Sequence, residues 1–202
     1  MWVAFGLMAL FVLLTRDRTL LDSHSFLRQR YAPIPWLMLA HGLPGALALF
    51  LGMFQFSSRL RQRYPQLHRV MGRIYVGSAV ISAPLAIAVA IALPLPTLLM
   101  ASLIQAVGWL VTTATAIYCV RTGRIQQHRE WMMRSYPFAA VFVVVRVLHA
   151  IPAIERMGVL GAATVVWSVV ATACFLPSFV IAWQALAASK RAAKVPTAPA
   201  AS

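Results

Sequence analysis

The stretch HRVMGRIYVGSAVISAPLAIAVAIAL, from His68 to Leu93, places a His-Arg pair at the start of a long apolar run. A helix crosses the hydrocarbon core of a bilayer with about 20 apolar residues, and the run that begins at Val70 is long enough to do so. A second pair, His128-Arg129 in HREWMMRSY, precedes another apolar run in the same way. The two stretches predict transmembrane helices that begin at the same face of a membrane.

The composition of the whole chain also indicates a membrane protein. Of 202 residues, 61% are hydrophobic and 11% are charged, with a mean hydropathy of +0.77, whereas soluble domains carry about 25% charged residues. The apolar residues form blocks, which favours helices over a barrel of alternating strands. We expect an all-α polytopic bundle of six helices in one domain, residues 1–186, with spans at residues 2–15, 34–56, 70–93, 97–120, 131–151 and 159–186. The small, basic tail at residues 187–202 is predicted to be disordered.

The basic residues predict the orientation of these spans. Most of them fall in the connections on one side and in the tail, namely Arg59, Arg61, Arg63, Arg69, Arg73, Arg121, Arg124, Arg129, Arg134, Lys190, Arg191 and Lys194. Cytoplasmic loops carry such an excess, so we expect this side, and both termini, to be cytoplasmic. The net charge of +14 then reflects topology and contact with anionic lipid headgroups. Nucleic-acid binding is disfavoured because the basic residues are spread over several loops.

Spans two to five each carry polar and small residues at heptad-like spacing, which marks the buried stripe of a membrane helix. The stripes are His41, Gly45, Ala48, Gly52 and Gln55; His68, Gly72, Tyr75, Ala79 and Ser82; Gln105, Gly108, Thr112, Thr115 and Cys119; and His128, Met132, Ser135, Ala139, Phe142, Arg146 and His149. Spans one and six show no comparable stripe. We expect a polar four-helix core made of spans two to five, with spans one and six packed outside it.

The four core histidines sort into two pairs by depth. His68 and His128 start their spans on the cytoplasmic side, whereas His41 and His149 lie near the outer face. Two imidazoles from different helices are the axial ligands that b-type haem needs inside a bundle. The sequence therefore suggests two haem sites stacked across the membrane, which would pass electrons to or from a quinone or another redox partner.

Small and basic residues near the histidines complete this hypothesis. Gly45, Gly52 and Gly72 would leave room for the macrocycle, and Tyr75 follows on the same stripe. The propionates would meet Arg69, Arg129 and Arg134 at the inner site and Arg146 at the outer site.

Simpler interpretations account for the same residues. Histidines and arginines near span ends anchor helices to headgroups or bond to neighbouring helices, and glycines allow close packing. Met132, Met133 and Met71, near the inner histidines, would suit Cu(I). Hydrolysis is disfavoured because no Ser, His and Asp grouping can be placed together, and the chain leaves open whether it forms an oligomer.

Two regions, from His41 to Ser78 and from Gly123 to Arg146, resemble the bacterial membrane proteins grouped as domain of unknown function 2306 (DUF2306). The shared pattern is a histidine, a Gly-rich helix ending in QF, an Arg-rich loop, HRxxGRxY and HRxWMxRS. The matching residues are His41, Gly45, Gly52, Gln55, Phe56, Arg61, His68, Arg69, Gly72, Arg73, Tyr75, His128, Arg129, Trp131, Met132, Arg134, Ser135 and Arg146. This resemblance implies a protein of the bacterial cytoplasmic membrane and a site, but no reaction.

Two looser similarities imply different functions. In its predicted helix arrangement, the chain is similar to the cytochrome b561 family, which has six helices with a four-helix haem core. This similarity would imply a membrane oxidoreductase. It also resembles small membrane proteins that assist the maturation of respiratory oxidases. That similarity implies a non-catalytic structural or assembly factor, with copper as the alternative metal.

Overall fold

The computed structural model describes residues 32–93, 96–149 and 151–192, which fold into seven helices. They are α1 (Pro35–Gln55), α2 (Ser58–Arg63), α3 (Pro65–Ala92), α4 (Pro96–Arg121), α5 (Ile125–His149), α6 (Pro152–Glu155) and α7 (Gly158–Ala192). Five of them, α1, α3, α4, α5 and α7, are long and apolar enough to cross a membrane. They correspond to predicted spans two to six, while predicted span one lies outside the described residues.

The structure differs from the predicted six-helix plan at some boundaries. The short helices α2 and α6 were not predicted, because helices of this length carry no transmembrane signal. Helix α7 continues to Ala192, so residues 187–192, predicted to be disordered, are helical. The rest of the predicted tail lies outside the described residues.

Local sequence explains where several helices start and stop. Proline occupies the first turn of α1, α3 and α6, where its missing N–H costs nothing and its fixed φ suits a helix. Between α4 and α5, Gly123 adopts a φ of +76°, and the Arg124 N–H donates to the Cys119 carbonyl at 2.8 Å. This left-handed glycine cap ends α4 and reverses the chain, so α5 returns antiparallel to it.

Helices α1, α3, α4 and α5 form a ring in which each packs on its two neighbours, in the order α1, α3, α4, α5 and back to α1. Helices α3 and α5 therefore face each other diagonally, as do α1 and α4. We call the two ends of this ring the His68 end and the His41 end. The first holds the last turn of α1, all of α2, the first turns of α3 and α5 and the last turn of α4. The second holds the opposite ends of these helices.

Helix α7 lies outside the ring, as expected for span six, and packs against α5 and α4. It adds Val165, Val169, Val170 and Ala173 to the buried apolar cluster. Large apolar side chains also cover the outer surface; Trp36 is 81% exposed and Phe175 is 75% exposed. Such a surface suits lipid, so the exposed apolar residues are explained by the membrane.

Candidate functional site

A hydrogen-bonded network of four side chains fills the middle of the ring. Trp109 on α4 donates through Nε1 to the Tyr75 hydroxyl on α3 at 3.0 Å. The Tyr75 oxygen lies 2.8 Å from the Ser135 oxygen on α5, which lies 2.7 Å from the Thr113 oxygen on α4. All four side chains are buried, and Tyr75 and Ser135 are 0% exposed. Because these side chains are buried away from water, each hydrogen bond among them helps to hold α3, α4 and α5 in register.

The network corrects the predicted stripe of α4. Thr112 and Thr115 were expected to face the core, but they donate to carbonyls of their own helix, at 2.7 Å to Gly108 and 2.8 Å to Val111. The buried residues of α4 are Ala101, Ala106, Trp109, Thr113, Ala116 and Cys119. Sequence reasoning therefore missed Trp109 and Thr113. The spacing of Ala106, Trp109, Thr113 and Ala116 is itself heptad-like and is the signal that would have found them.

His68 lies two turns from this network toward the His68 end, on the same face of α3 as Tyr75. Its Nδ1 atom is buried and has no hydrogen-bond partner. The only other buried side-chain nitrogen without a partner among the described residues is Nε2 of Gln55. Gln55 ends α1 and lies beside Gly72, where an added Cβ would come within 3.3 Å of its Oε1 atom. Two unsatisfied polar groups therefore line the same part of the interior, a pattern that calls for a ligand or ordered water.

His128 faces this place from α5. It lies two turns from Ser135, just as His68 lies two turns from Tyr75, and the Tyr75–Ser135 contact shows that these two faces meet. The Nδ1 atom of His128 lies 2.8 Å from the Ala116 carbonyl on α4. An imidazole bonded in this way donates from Nδ1, which leaves Nε2 free to accept a proton or ligate a metal.

Some of the predicted arginines lie near this site, and others lie on other surfaces of the bundle. Arg61 on α2, Arg69 and His128 lie close enough to His68 to act on it electrostatically. Arg129 is exposed. Arg134 donates from Nε to Ser178 on α7 at 3.2 Å, so its guanidinium lies at the contact between α5 and α7. Of the two arginines that act on His68, Arg61 is half-buried and Arg69 is exposed, and Arg61 was not among the predicted ligand-binding residues.

The His41 end is joined by an interhelical hydrogen-bond pair. The Nδ1 atom of His41 lies 2.9 Å from the Ser82 carbonyl, and the Ser82 hydroxyl donates to the His41 carbonyl at 3.0 Å. Arg146 packs over the Phe142 ring at 4.1 Å and acts electrostatically on His41. His149 is the last residue of α5. The contacts of His41 are those of a histidine that bonds two membrane helices together.

The glycines expected to make room for a macrocycle are closely covered by side chains. A Cβ on Gly52 would come within 2.6 Å of the Tyr136 ring and 3.0 Å of the Tyr75 ring, and one on Gly45 would lie 3.1 Å from the Ser82 hydroxyl. The middle of the ring and the His41 end therefore do not fit a haem in the expected place. At the His68 end, Gly72 is covered by the Gln55 side chain, whose Oε1 atom would lie 3.3 Å from an added Cβ. The groups there that could hold a haem are two imidazoles, the unpartnered Gln55 amide and nearby arginines.

The sequence profile of the family described as "Predicted membrane protein (DUF2306)" matches residues 38–186. Neither a curated protein nor a solved structure matches the chain. The match extends from α1 to α7 and includes both ends of the ring. The chain therefore belongs to the DUF2306 family of membrane proteins.

Proposed function

We propose that this DUF2306 protein binds one b-type haem between His68 and His128 and transfers electrons within the membrane. The observation that carries the proposal is the closeness of His68 to His128, on helices that face each other diagonally, together with a buried ring nitrogen of His68 that has no hydrogen-bond partner. Axial ligation of haem needs one imidazole from each of two facing helices. The two stacked sites suggested by the sequence are thus reduced to one.

The chain's own residues would have separate tasks at this site. The Ala116 carbonyl holds His128 with Nε2 free, and ligands positioned in this way bind metals more tightly. Arg61, which is half-buried and acts electrostatically on His68, would supply positive charge for the propionates. Bound haem would supply a one-electron carrier, and a quinone or another redox partner would exchange electrons with it.

Copper is the second candidate, and Met132 is the observation that favours it. Met132 is partly buried, packs against the core and lies one turn after His128. Cu(I) prefers such soft ligands. Among the described residues, no three His, Cys, Asp or Glu side chains are grouped as metal ligands, so copper would need Met132 as a third donor beside the two histidines. Copper binding would support an assembly or maturation factor.

We also propose that the His68 end faces the cytoplasm of a bacterial cell. Nine arginines lie at this end among the described residues, namely Arg59, Arg61, Arg63, Arg69, Arg73, Arg121, Arg124, Arg129 and Arg134. Loops with this excess of arginine remain in the cytoplasm when a protein inserts.

Absorption spectroscopy tests the haem proposal. The protein is purified in mild detergent from haem-replete cells, and its spectrum is recorded before and after reduction with dithionite. We expect the bands of a low-spin b-type haem, lost in both His68→Ala and His128→Ala and retained in His41→Ala. A haem-free preparation, or an unchanged spectrum in both inner variants, would overturn the proposal. Stoichiometric copper that is lost in Met132→Leu, without haem bands, would support the copper alternative instead.

A further inference from the structure

Two arginines on the outer face of α3 lie among residues that face lipid. Arg69 and Arg73 are both exposed and are four residues apart, so they share one side of the helix. Between and beside them, Val70 is 49% exposed and Ile74 is 39% exposed. Arg73 is about 4.5 Å along the helix axis from Val70, where the predicted span begins, at the helical rise per residue. A cation at the edge of an apolar surface is stabilised by an anionic partner or by a route back to water.

The described part of the protein provides no carboxylate for this pair. The one ion pair found there joins Arg134 to Glu130 at 4.0 Å, on α5. The Arg73 side chain is long enough to extend along the helix toward the headgroup region. An anionic lipid headgroup at the membrane edge is therefore the partner that we expect for this arginine.

The surface beyond the arginines suits an acyl chain. Gly77 is exposed and lies one turn past Arg73, and an added Cβ there would meet nothing within 4 Å. Ile81, one turn further, is 54% exposed. Helix α3 thus presents two positive charges near the membrane edge, followed by an apolar strip with a notch at the glycine.

We propose that this face of α3 binds an anionic phospholipid, with its phosphate against Arg69 and Arg73 and one acyl chain along Ile74, Gly77 and Ile81. The charge is complementary to a phosphate, and the apolar strip runs inward from the arginines in the direction an acyl chain takes. An acidic protein segment would match the charge but would leave the strip below it unexplained. The lipid site is independent of the haem proposal.

Lipid binding measured by native mass spectrometry tests this site. The detergent-purified full chain is titrated with phosphatidylglycerol and, separately, with phosphatidylcholine. We expect tighter binding of phosphatidylglycerol, weakened about fivefold in Arg73→Gln and about twenty-five-fold in Arg69→Gln/Arg73→Gln, because each basic residue contributes a similar electrostatic increment. The control is Arg121→Gln, an exposed arginine at the same end of the ring, which should bind like the parent.

A second variant tests the acyl part without changing any charge. Gly77→Leu fills the notch and should weaken phosphatidylglycerol binding while leaving the arginines in place. Equal binding by the parent, the double arginine variant and Arg121→Gln would overturn the proposal. If Arg121→Gln weakens phosphatidylglycerol binding as much as the double arginine variant does, the lipid is attracted by the basic end as a whole. That result would likewise overturn a site on α3. Binding of an acidic peptide to this face, without binding of phosphatidylglycerol, would indicate a protein partner and would also overturn the proposal.

Discussion

The hydroxyl oxygen of Tyr75 lies 2.8 Å from that of Ser135, although the two residues belong to helices that face each other diagonally. The contact therefore crosses the axis of the ring and joins α3 directly to α5. Since His68 and His128 each lie two turns from this contact, the same bond aligns both histidines toward one interior. The contact and the two histidines thus lie on the faces of α3 and α5 that meet inside the ring.

Removing the tyrosine hydroxyl should destabilise the bundle. Tyr75→Phe leaves the Trp109 N–H without an acceptor in a dry interior, and an unsatisfied buried donor costs about 1–3 kcal/mol. The free energy of unfolding in detergent, measured by titration with a denaturing surfactant, reports the change. Tyr118→Phe is the matched control because Tyr118 is 58% exposed, and it should leave stability unchanged. Equal stability of the two variants would contradict the network.

A methyl group at Gly52 should be harmful, whereas the same change at Gly77 should not. The added Cβ of Gly52→Ala would lie 2.6 Å from the Tyr136 ring, and overpacking of this kind costs about 1–3 kcal/mol. Gly77→Ala meets nothing within 4 Å and should be neutral or stabilising by up to about 1 kcal/mol, since alanine favours helix. Thermal unfolding of the two variants measures the difference. A Gly52→Ala protein as stable as Gly77→Ala would show that the interior is loosely packed.

His41 and Ser82 should be energetically coupled. In a double-mutant cycle of His41→Leu and Ser82→Ala, we expect a coupling energy of about 0.5–2 kcal/mol, because the pair bonds α1 to α3. A second cycle, of His41→Leu with Thr113→Ala, serves as the control and should be additive within about 0.5 kcal/mol. Additivity in the first cycle would argue that the His41–Ser82 bonds hold the helices together weakly or not at all.

Gln55→Leu should stabilise the cofactor-free protein. The Gln55 amide nitrogen is buried without a partner, so replacing it by an apolar group of similar size removes a cost of about 1–3 kcal/mol. Chemical unfolding of protein purified from haem-deficient cells checks this, with Gln66→Leu as an exposed control. If Gln55→Leu is less stable than the parent, the Gln55 amide must already have a polar partner in the parent protein, which would contradict the prediction.

The orientation of the bundle can be tested with reporter fusions. Green fluorescent protein fused after Ser202 should fluoresce in a bacterial host, because the tail follows α7 to the side expected to be cytoplasmic. Alkaline phosphatase at the same position should be inactive there. The opposite pair of results would place the His68 end outside the cell.

The interior face of α3 could be predicted from spacing alone. Tyr75, Ala79 and Ser82 were expected on the buried stripe, and all three are 0% exposed. The corresponding prediction failed on α4, because Thr112, Thr113 and Thr115 lie too close together for polarity to select one face. A threonine can donate to its own helix, as Thr112 does, so its hydroxyl does not need to face the core. Only packing against Ser135 shows that Thr113 is the residue that does.

The sequence alone determined five of the membrane spans and the basic end of the bundle. These properties are local, since a helix in lipid needs only enough consecutive apolar residues and satisfies its own backbone. The tertiary structure decided the diagonal placement of His68 and His128, the packing of two tyrosine rings against Gly52 and the pairing of His41 with Ser82. Each of these joins residues distant in sequence through contacts of a few ångströms. Such contacts depend on how helices rotate and slide against one another, and hydropathy carries little information about that.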